Sequence, residues 1–385
     1  MTESVSAVGR VLIDATAVPA DRGGVGRYID GLVPALDAIG CDLAIACQRS
    51  DAERYERLAP SATVIPGPAA VSRRSARLAW EQTGLPLVAQ QVNAKVIHAP
   101  HYTAPLRSSC PVVVTVHDAT WFTEPAHYER AKGTFFRSAI RTSLKRAARV
   151  LVPSKATRDE LIRLLDADPT RLDVAYHGVD AELFHQPDDA ERARVRSRLG
   201  LVGPSCPGGY VAFLGAQEPR KNVPNLIRGW VSACERRADP PALVIAGGSG
   251  HDSEIDQAIA EVPARLRLLR PGYLRFADLP GFLGGADVVA YPSHGEGFGL
   301  PVLEAMACGA AVLTTPRLSL PEVGGDAVAY TEEDAARIGT DLAALLDDQP
   351  RRTALGAAAH ERAAQFTWAS SAEAHVAAYA RAVSP

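Results

Sequence analysis

The sequence predicts an α/β protein made of two doubly wound, parallel-sheet domains of the Rossmann-like kind. Three observations carry this: the length, a regular alternation of short apolar runs with amphipathic segments, and a turn-rich break between two such series. A chain of 385 residues exceeds what one hydrophobic core usually serves, so two cores are expected. The alternation is the pattern of βαβ units around a parallel sheet.

The first series places strands at Val11 to Asp14, Leu43 to Cys47, Val96 to His98, Val112 to Val116, Val150 to Val152 and Val174 to Tyr176. The second places them at Tyr210 to Leu214, Leu243 to Ala246, Leu266 to Leu269, Val288 to Tyr291 and Ala311 to Leu313. Between the series, residues 182 to 209 open with a charged stretch and end in Gly203-Pro204-Ser205-Cys206-Pro207-Gly208-Gly209, the composition of an interdomain connection. The expected domains are residues 1–185, completed by a C-terminal helix at about 369–385, and residues 186–368. No short repeat or low-complexity segment interrupts them.

Composition narrows the function. Hydrophobic content of 47%, charged content of 22% and a net charge of -3 sit near the globular average and give no general reason to expect nucleic acid. The six cysteines, Cys41, Cys47, Cys110, Cys206, Cys234 and Cys308, form no CxxC pair, which argues against a zinc site and a disulfide framework. Met1-Thr2-Glu3-Ser4 opens without a basic n-region, and no stretch approaches the ~18 apolar residues of a spanning helix. A reduced, cytoplasmic protein is expected.

After the first strand comes Gly23-Gly24-Val25-Gly26, then a helix whose Ile29, Leu32, Val33, Leu36 and Ile39 keep helical spacing until Gly40. Glycines there let backbone N–H groups approach an anion at a helix N-terminus. The segment lacks the last glycine of GxGxxG, and no acidic residue closes the second strand, so a tight structural turn is an equal alternative. In the second domain the first strand runs into Gly215-Ala216-Gln217-Glu218-Pro219-Arg220-Lys221-Asn222. Two adjacent cations at the carboxyl edge of a strand stand where open α/β sheets bind ligands. Arg220 can fork onto a diphosphate and Lys221 can act as a point charge; the alternative is a solvated turn.

The Val288 to Tyr291 strand leads into Pro292-Ser293-His294-Gly295-Glu296-Gly297-Phe298-Gly299-Leu300-Pro301-Val302-Leu303-Glu304-Ala305-Met306-Ala307-Cys308-Gly309. This is a glycine-rich loop at a helix N-terminus, with two glutamates eight positions apart, one in the loop and one a turn into the helix. Loop N–H groups can hold phosphate, Glu304 a ribose and Glu296 a sugar hydroxyl. Carboxylates at a helix start also satisfy the dipole alone, but the full run makes that reading insufficient.

These residues resemble glycosyltransferase family 4, whose hallmark is two glutamates separated by seven residues within an EGFGLPxLEAMAxG segment, as Glu296 to Gly309 reads. Gly23 to Tyr28 is similar to that family's donor-side glycine loop, which implies that Gly23, Gly24 and Gly26 contact the donor. Trp80-Glu81-Gln82 with Leu85-Pro86, Thr115-Val116-His117-Asp118, Tyr176-His177-Gly178-Val179-Asp180, Glu218 to Asn222 and Phe366-Thr367-Trp368 are similar to blocks of its bacterial mannosyltransferase-like branch. The resemblance implies the two-domain GT-B fold with a central cleft, retention of anomeric configuration, and an N-terminal acceptor-side domain facing a C-terminal donor-binding domain. It implies that Glu304 binds ribose, that Glu296 and the backbone of Gly297, Phe298, Gly299 and Leu300 bind the transferred sugar and diphosphate, and that Arg220 and Lys221 neutralise the leaving phosphates. His117 would lie by the anomeric centre, with Asp118 beside it to hold it or an acceptor hydroxyl. Many relatives carry an Arg where this chain has Ala216, and Arg220 would take that role. The implied substrates are a nucleoside diphosphate sugar, GDP-mannose by branch, and a glycan or lipid-linked acceptor.

Cleaving a sugar-diphosphate bond builds negative charge on the leaving group, so fixed cations and N–H dipoles supply the stabilisation, and neither a metal nor a cofactor is expected. The DxD-like Asp166-Ala167-Asp168 sits between a helix and a strand, a turn setting. Residues 128–149 carry Arg130, Lys132, Arg137, Arg141, Lys145, Arg146 and Arg149 against Glu129, with Phe136, Ile140, Leu144 and Ala147 on the other face. This basic amphipathic helix covers the sheet or rests on anionic lipid. Rival functions are a sugar-nucleotide epimerase of the same architecture, a UDP- or dTDP-sugar transferase, a non-catalytic nucleotide-sugar sensor, and a dehydrogenase, which the incomplete GxGxxG disfavours.

Overall fold

The computed structural model describes residues 8–19, 22–125, 129–202, 209–250 and 252–384. The chain divides into two compact units: Met1–Gly178 with Phe366–Pro385, and Val179–Gln365. Among the described residues the first unit holds seven parallel strands, β1 (Val11–Asp14), β2 (Leu43–Cys47), β3 (Thr63–Pro66), β4 (Val96–Ala99), β5 (Val112–Thr115), β6 (Arg149–Val152) and β7 (Leu172–Val174), in the order β3-β2-β1-β4-β5-β6-β7. The second holds six, β8 (Tyr210–Leu214), β9 (Ala242–Ala246), β10 (Leu268–Gly272), β11 (Val288–Tyr291), β12 (Val312–Thr314) and β13 (Ala329–Tyr330), in the order β10-β9-β8-β11-β12-β13. Every strand pairing is parallel, and both sheets reverse direction once, at β1/β4 and at β8/β11. This is the doubly wound arrangement, and it puts a crevice beyond the carboxyl ends of the central strands.

The central strands are almost wholly buried and mostly Val, Ile, Leu and Ala, which is why apolar runs locate them. β3 and β13 escape such a reading: β3 is an edge strand whose residues are partly exposed and whose last residue is Pro66, and β13 has two residues. The seventh strand lies at Leu172–Val174 rather than Val174 to Tyr176, and the third strand of the second unit at Leu268–Gly272 rather than Leu266 to Leu269.

The chain leaves the first unit at Gly178, ahead of the 182 to 209 segment read as a connection. Residues Asp189–Arg198 of that segment are a helix, started by a capping box in which Asp188 accepts from the N–H of Glu191, and they pack in the second unit. Residues 203–208 lie outside the described residues. The C-terminal helix Trp368–Val383 returns to the first unit, where Ala372, Val376, Tyr379 and Ala382 join the core of Tyr28, Leu32, Ile45 and Val96. Two glycines make its entry: a Cβ on Gly178 would lie 2.2 Å from the Trp368 backbone N, and one on Gly31 would lie 2.1 Å from the Trp368 ring. Among the described residues no helix is long and apolar enough to cross a membrane.

Candidate active site

In the second unit, β8 and β11 are the neighbours at which strand order reverses, and each runs into one of the two motifs. The loop after β8 stays close to the sheet because Gly247, at φ +121°, lets the Gly215 carbonyl approach to 2.2 Å of where its Cβ would stand. A 3-10 turn at Pro219–Lys221 then directs Lys221 inward, 7% exposed, and Asn222 reverses the chain with φ +57°. Asn222 Nδ2 donates to the carbonyls of Pro292 (3.1 Å) and Glu333 (2.8 Å), and the His294 N–H donates to the Arg220 carbonyl at 2.9 Å. These bonds hold the two loops together.

The Glu296 carboxylate is the centre of the arrangement. Its Oε2 lies 2.5 Å from Arg220 Nη1, and its Oε1 accepts from Lys221 Nζ at 2.6 Å, Ser293 Oγ at 2.8 Å and Tyr291 OH at 3.0 Å. Lys221 Nζ also donates to the Tyr291 hydroxyl. Burial opposes ionisation, but Arg220 and Lys221 outweigh it and hold Glu296 at about 2. The magnitudes agree: two pairs at contact distance give roughly 4 kcal/mol each at an effective dielectric of about 20, against a desolvation penalty of several kcal/mol. Lys221 is pulled below its ordinary value by burial and by Arg220, with Glu296 working in the other direction. Ala216 is exposed, and Arg220 is the residue that brings a guanidinium to this cluster.

The chain then enters the helix Leu300–Ala307 through Gly299 at φ +96°, with Gly297 and Phe298 buried beneath. Ser319 Oγ donates to the Glu296 carbonyl at 2.8 Å, fixing the loop from the far side. Glu304 sits in the second turn, 2% exposed, and adds to the burial that pushes the Cys308 thiol up. The crevice thus offers two partly desolvated cations and a helix N-terminus, the equipment for a polyanion.

In the first unit, Gly23, Gly24 and Gly26 lie inside the first turns of the helix Gly23–Ala38 rather than in a loop before it. Gly23 and Gly24 are exposed with open space where a Cβ would be, while Gly26 is buried against Arg22 and Val18. His117 follows β5. Its Nε2–H donates to the Pro100 carbonyl at 2.7 Å, so Nδ1 carries the lone pair, and burial lowers its pKa. Neutral His117 is therefore an acceptor at Nδ1. Asp118 does not hold it: Oδ1 accepts from the Thr120 N–H (3.1 Å) and hydroxyl (2.6 Å), and Oδ2 from the Tyr102 hydroxyl (3.0 Å). A short polar side chain two residues before a backbone N–H makes this turn bond readily.

Behind His117 lies a buried hydrogen-bonded chain that no motif announced. His375 Nδ1 faces the Ser371 carbonyl at 2.7 Å and must donate to it. Its Nε2 is then an acceptor and takes the Tyr28 hydroxyl proton (2.7 Å); Tyr28 in turn accepts from Thr115 Oγ1 (3.0 Å), and Thr115 from His98 Nε2–H (2.8 Å). His98 Nδ1 accepts from the Tyr379 hydroxyl at 2.8 Å. One carbonyl therefore fixes both tautomers and the direction of every bond. Burial keeps His98 and His375 neutral, the latter at about 4. The signal available in sequence was a lone His and a lone Thr within apolar strands, since buried polar groups require partners; which partners was not readable.

Tyr291 and Ser293 were likewise not singled out, although both flank the motif. The DxD-like string is structural: Asp166 ends the helix Lys155–Leu165 in the left-handed conformation, and Asp168 Oδ1 accepts from the Thr170 N–H at 2.9 Å. Among the described residues no cluster of three or more His, Cys, Asp or Glu could hold a metal ion.

Comparison with known proteins agrees with this architecture. Residues 22–183 match the model of Glycosyltransferase Family 4, and residues 208–362 that of Glycosyl transferases group 1. The chain is 30% identical over 276 residues to the O-antigen chain mannosyltransferase B of Escherichia coli, covering 71% of each. It is 28% identical over 382 residues to the D-inositol 3-phosphate glycosyltransferase of Corynebacterium kroppenstedtii, covering 91% of this chain and 84% of that one. Among solved structures, the Anabaena protein HepE in complex with UDP-glucose superposes with a TM-score of 0.74 at 18% identity, covering 96% of this chain and 98% of that one. WaaG, a glycosyltransferase involved in lipopolysaccharide biosynthesis, does so at 0.73 and 16%, covering 95% and 98%. Fold and site define a two-domain glycosyltransferase of the GT-B type. The chain belongs to glycosyltransferase family 4.

Proposed function

We propose that the chain is a retaining, metal-independent hexosyltransferase that moves mannose from GDP-mannose to a hydroxyl of a glycan or lipid-linked acceptor. The observation that carries the metal-free reading is the buried cluster of Arg220, Lys221 and Glu296 at the β8/β11 switch point. The identity shared with a mannosyltransferase favours the donor. In this reading residues 186–368 bind the donor: Arg220, Lys221 and the backbone of Gly215 and Gly297 to Leu300 hold the diphosphate, Glu304 the ribose, and Glu296 the sugar. Residues 1–185 serve the acceptor side, with His117 Nδ1 accepting a hydrogen bond from a substrate hydroxyl, while Gly23, Gly24 and Gly26 are this domain's donor contacts. The anomeric C–O bond to phosphate breaks as the acceptor oxygen bonds to that carbon on the same face. The acceptor proton passes to the departing phosphate, whose charge Arg220 and Lys221 stabilise.

The decisive experiment is a donor panel in excess EDTA, read by mass spectrometry with a lipid extract as acceptor. Turnover of GDP-mannose, unchanged by chelation, is expected. Activity lost on chelation and restored by magnesium would overturn metal independence; turnover of uridine or thymidine sugars alone would overturn the donor; isomerised donor without transfer would indicate an epimerase.

The basic helix, Arg130–Arg146 in the structure with Tyr128 outside the described residues, belongs to the same reading as a contact of a cytoplasmic enzyme with anionic membrane. Arg137 donates to the Trp121 carbonyl at 3.2 Å and Arg141 lies over the Phe122 ring at 5.0 Å, while Lys145 is exposed. Replacing Arg137, Arg141 and Lys145 by Glu is expected to abolish sedimentation with anionic liposomes and leave donor binding intact. Equal sedimentation of both proteins would remove the membrane contact.

A further inference from the structure

The first unit contains a cavity of about 580 Å³ that no step of the proposed reaction uses. It lies over β5, between the helix Arg74–Gln91 and the helix Arg130–Arg146, under the loop formed by residues 103–111. Protein interiors are packed to a density of about 0.75 with few voids larger than a water, so a cavity of this size is not a packing fault. It falls within the range of about 300–1,000 Å³ that encloses one small ligand.

Its walls come from Leu78, Val112, Val114, Phe135 and Ala139. The helix Arg130–Arg146 creates the room because the residues it turns inward here, Ser138, Ala139 and Thr142, are small. Glu81, the carboxylate on the wall, is already matched by Arg77 Nη1 at 3.0 Å and Thr103 Oγ1 at 2.6 Å. Gln82 holds the loop above, donating to the Ala104 carbonyl at 3.0 Å and accepting from the Leu106 N–H at 2.9 Å. At the mouth stand Leu106, 50% exposed, and Arg146, whose Nη1 donates to the Leu106 carbonyl at 3.4 Å. Arg171, also on the wall, donates to the Ala147 carbonyl. Among the described residues neither arginine makes a salt bridge. Arg171 has Asp168 nearby, a carboxyl lowered by its hydrogen bonds from Thr170 and further by Arg171 itself, so Arg146 is the exposed cation at the opening. An apolar chamber with such a cation at its mouth is complementary to an anionic head carrying an apolar tail.

We propose that this cavity takes one acyl chain of an anionic membrane lipid, with the head group held at Arg146. The proposal extends the reading of the basic helix as a membrane contact, but part of its test needs no membrane. Cys110 lines the cavity and is only partly buried, so its alkylation, followed by peptide mass spectrometry, reports occupancy at the place itself.

Dodecyl phosphate is expected to slow Cys110 alkylation in the full-length protein. Dodecyl maltoside, with the same chain and a neutral head, should require roughly fivefold more for equal protection, as should dodecyl phosphate on Arg146→Glu, because a surface cation contributes about 1 kcal/mol. Ala139→Leu should abolish protection by filling the chamber. If that variant is unfolded by circular dichroism, the exposed Arg146→Glu variant decides. Phosphatidylglycerol vesicles should protect Cys110 and phosphatidylcholine vesicles should not. No protection by dodecyl phosphate, or equal protection by the neutral detergent, overturns the site. Protection by the soluble amphiphile but not by phosphatidylglycerol vesicles overturns the membrane lipid as its source. Equal liposome sedimentation of the wild type and the Arg137, Arg141 and Lys145 to Glu variant, with Cys110 protection retained, would sink the basic-helix reading alone.

Discussion

Lys221→Ala and Arg220→Ala should each lower kcat by about 10²-fold or more, since each removes charge stabilisation that grows as the diphosphate departs. The structure adds a second consequence. Glu296 is paired to both cations, so Glu296→Gln, which keeps the shape and a hydrogen-bonding amide, leaves Arg220 and a buried Lys221 side by side with no anion between them. Burial and Arg220 already lower the Lys221 pKa, and loss of the Glu296 charge lowers it further. A lysine is neutral above its pKa, so the variant should lose kcat/KM as pH rises, at a lower pH than the wild type does. A wild-type pH profile in Glu296→Gln would show that the carboxylate does not keep Lys221 charged. Glu304→Ala should instead raise the donor KM and weaken free nucleoside diphosphate binding with kcat nearly unchanged, as loss of a contact equal in ground and transition states requires. If Glu304→Ala spares the nucleotide while Glu296→Gln loses it, the proposed roles are exchanged.

Acid should destabilise the first unit before the second. His98, His101, His117, His177 and His375 are all pushed below the ordinary histidine value of 6.5 by burial, His101 to about 3 and His375 to about 4. With folded pKa values below the unfolded one, the unfolded chain binds more protons, so the stabilisation is complete above about pH 6.5 and is lost as pH falls through the folded values. His375 alone amounts to roughly 3 kcal/mol over that window, set against a total of about 5–15 kcal/mol for a typical domain. In the second unit the lowered carboxylates are the exposed Glu261, hydrogen-bonded by Arg228, and the buried Glu296, whose contribution is present above its ordinary 4.5 and is lost as pH falls through about 2. Three of the four tryptophans, Trp80, Trp121 and Trp368, lie in the first unit and Trp230 in the second. Fluorescence of a Trp230→Phe variant during thermal unfolding should show the midpoint falling steeply between about pH 6.5 and pH 4. A midpoint flat across that window would mean that the histidines are not held neutral.

Much of this was legible in the sequence. Strands buried on both faces are uninterrupted apolar runs, so most of both sheets could be read from Val, Ile and Leu alone. The motifs after β8 and β11 could be placed on one crevice because doubly wound topology sends both loops to the same edge. Local chemistry also marked Asp166-Ala167-Asp168 as a turn. Only the tertiary structure decided the rest. Adjacency in sequence made Asp118 look like the partner of His117, but the nearest acceptor in space was the Pro100 carbonyl, because β4 and β5 are neighbours. The pairing of Glu296 with both cations joins residues 75 and 76 positions apart. The histidine chain joins Tyr28 to His375 across 347 positions, and it exists because the last helix packs back on the first sheet. Periodicity and composition describe a residue's own element. Which buried polar group answers another is set by how elements pack, and the need to leave none unsatisfied fixes the partner only once they are together.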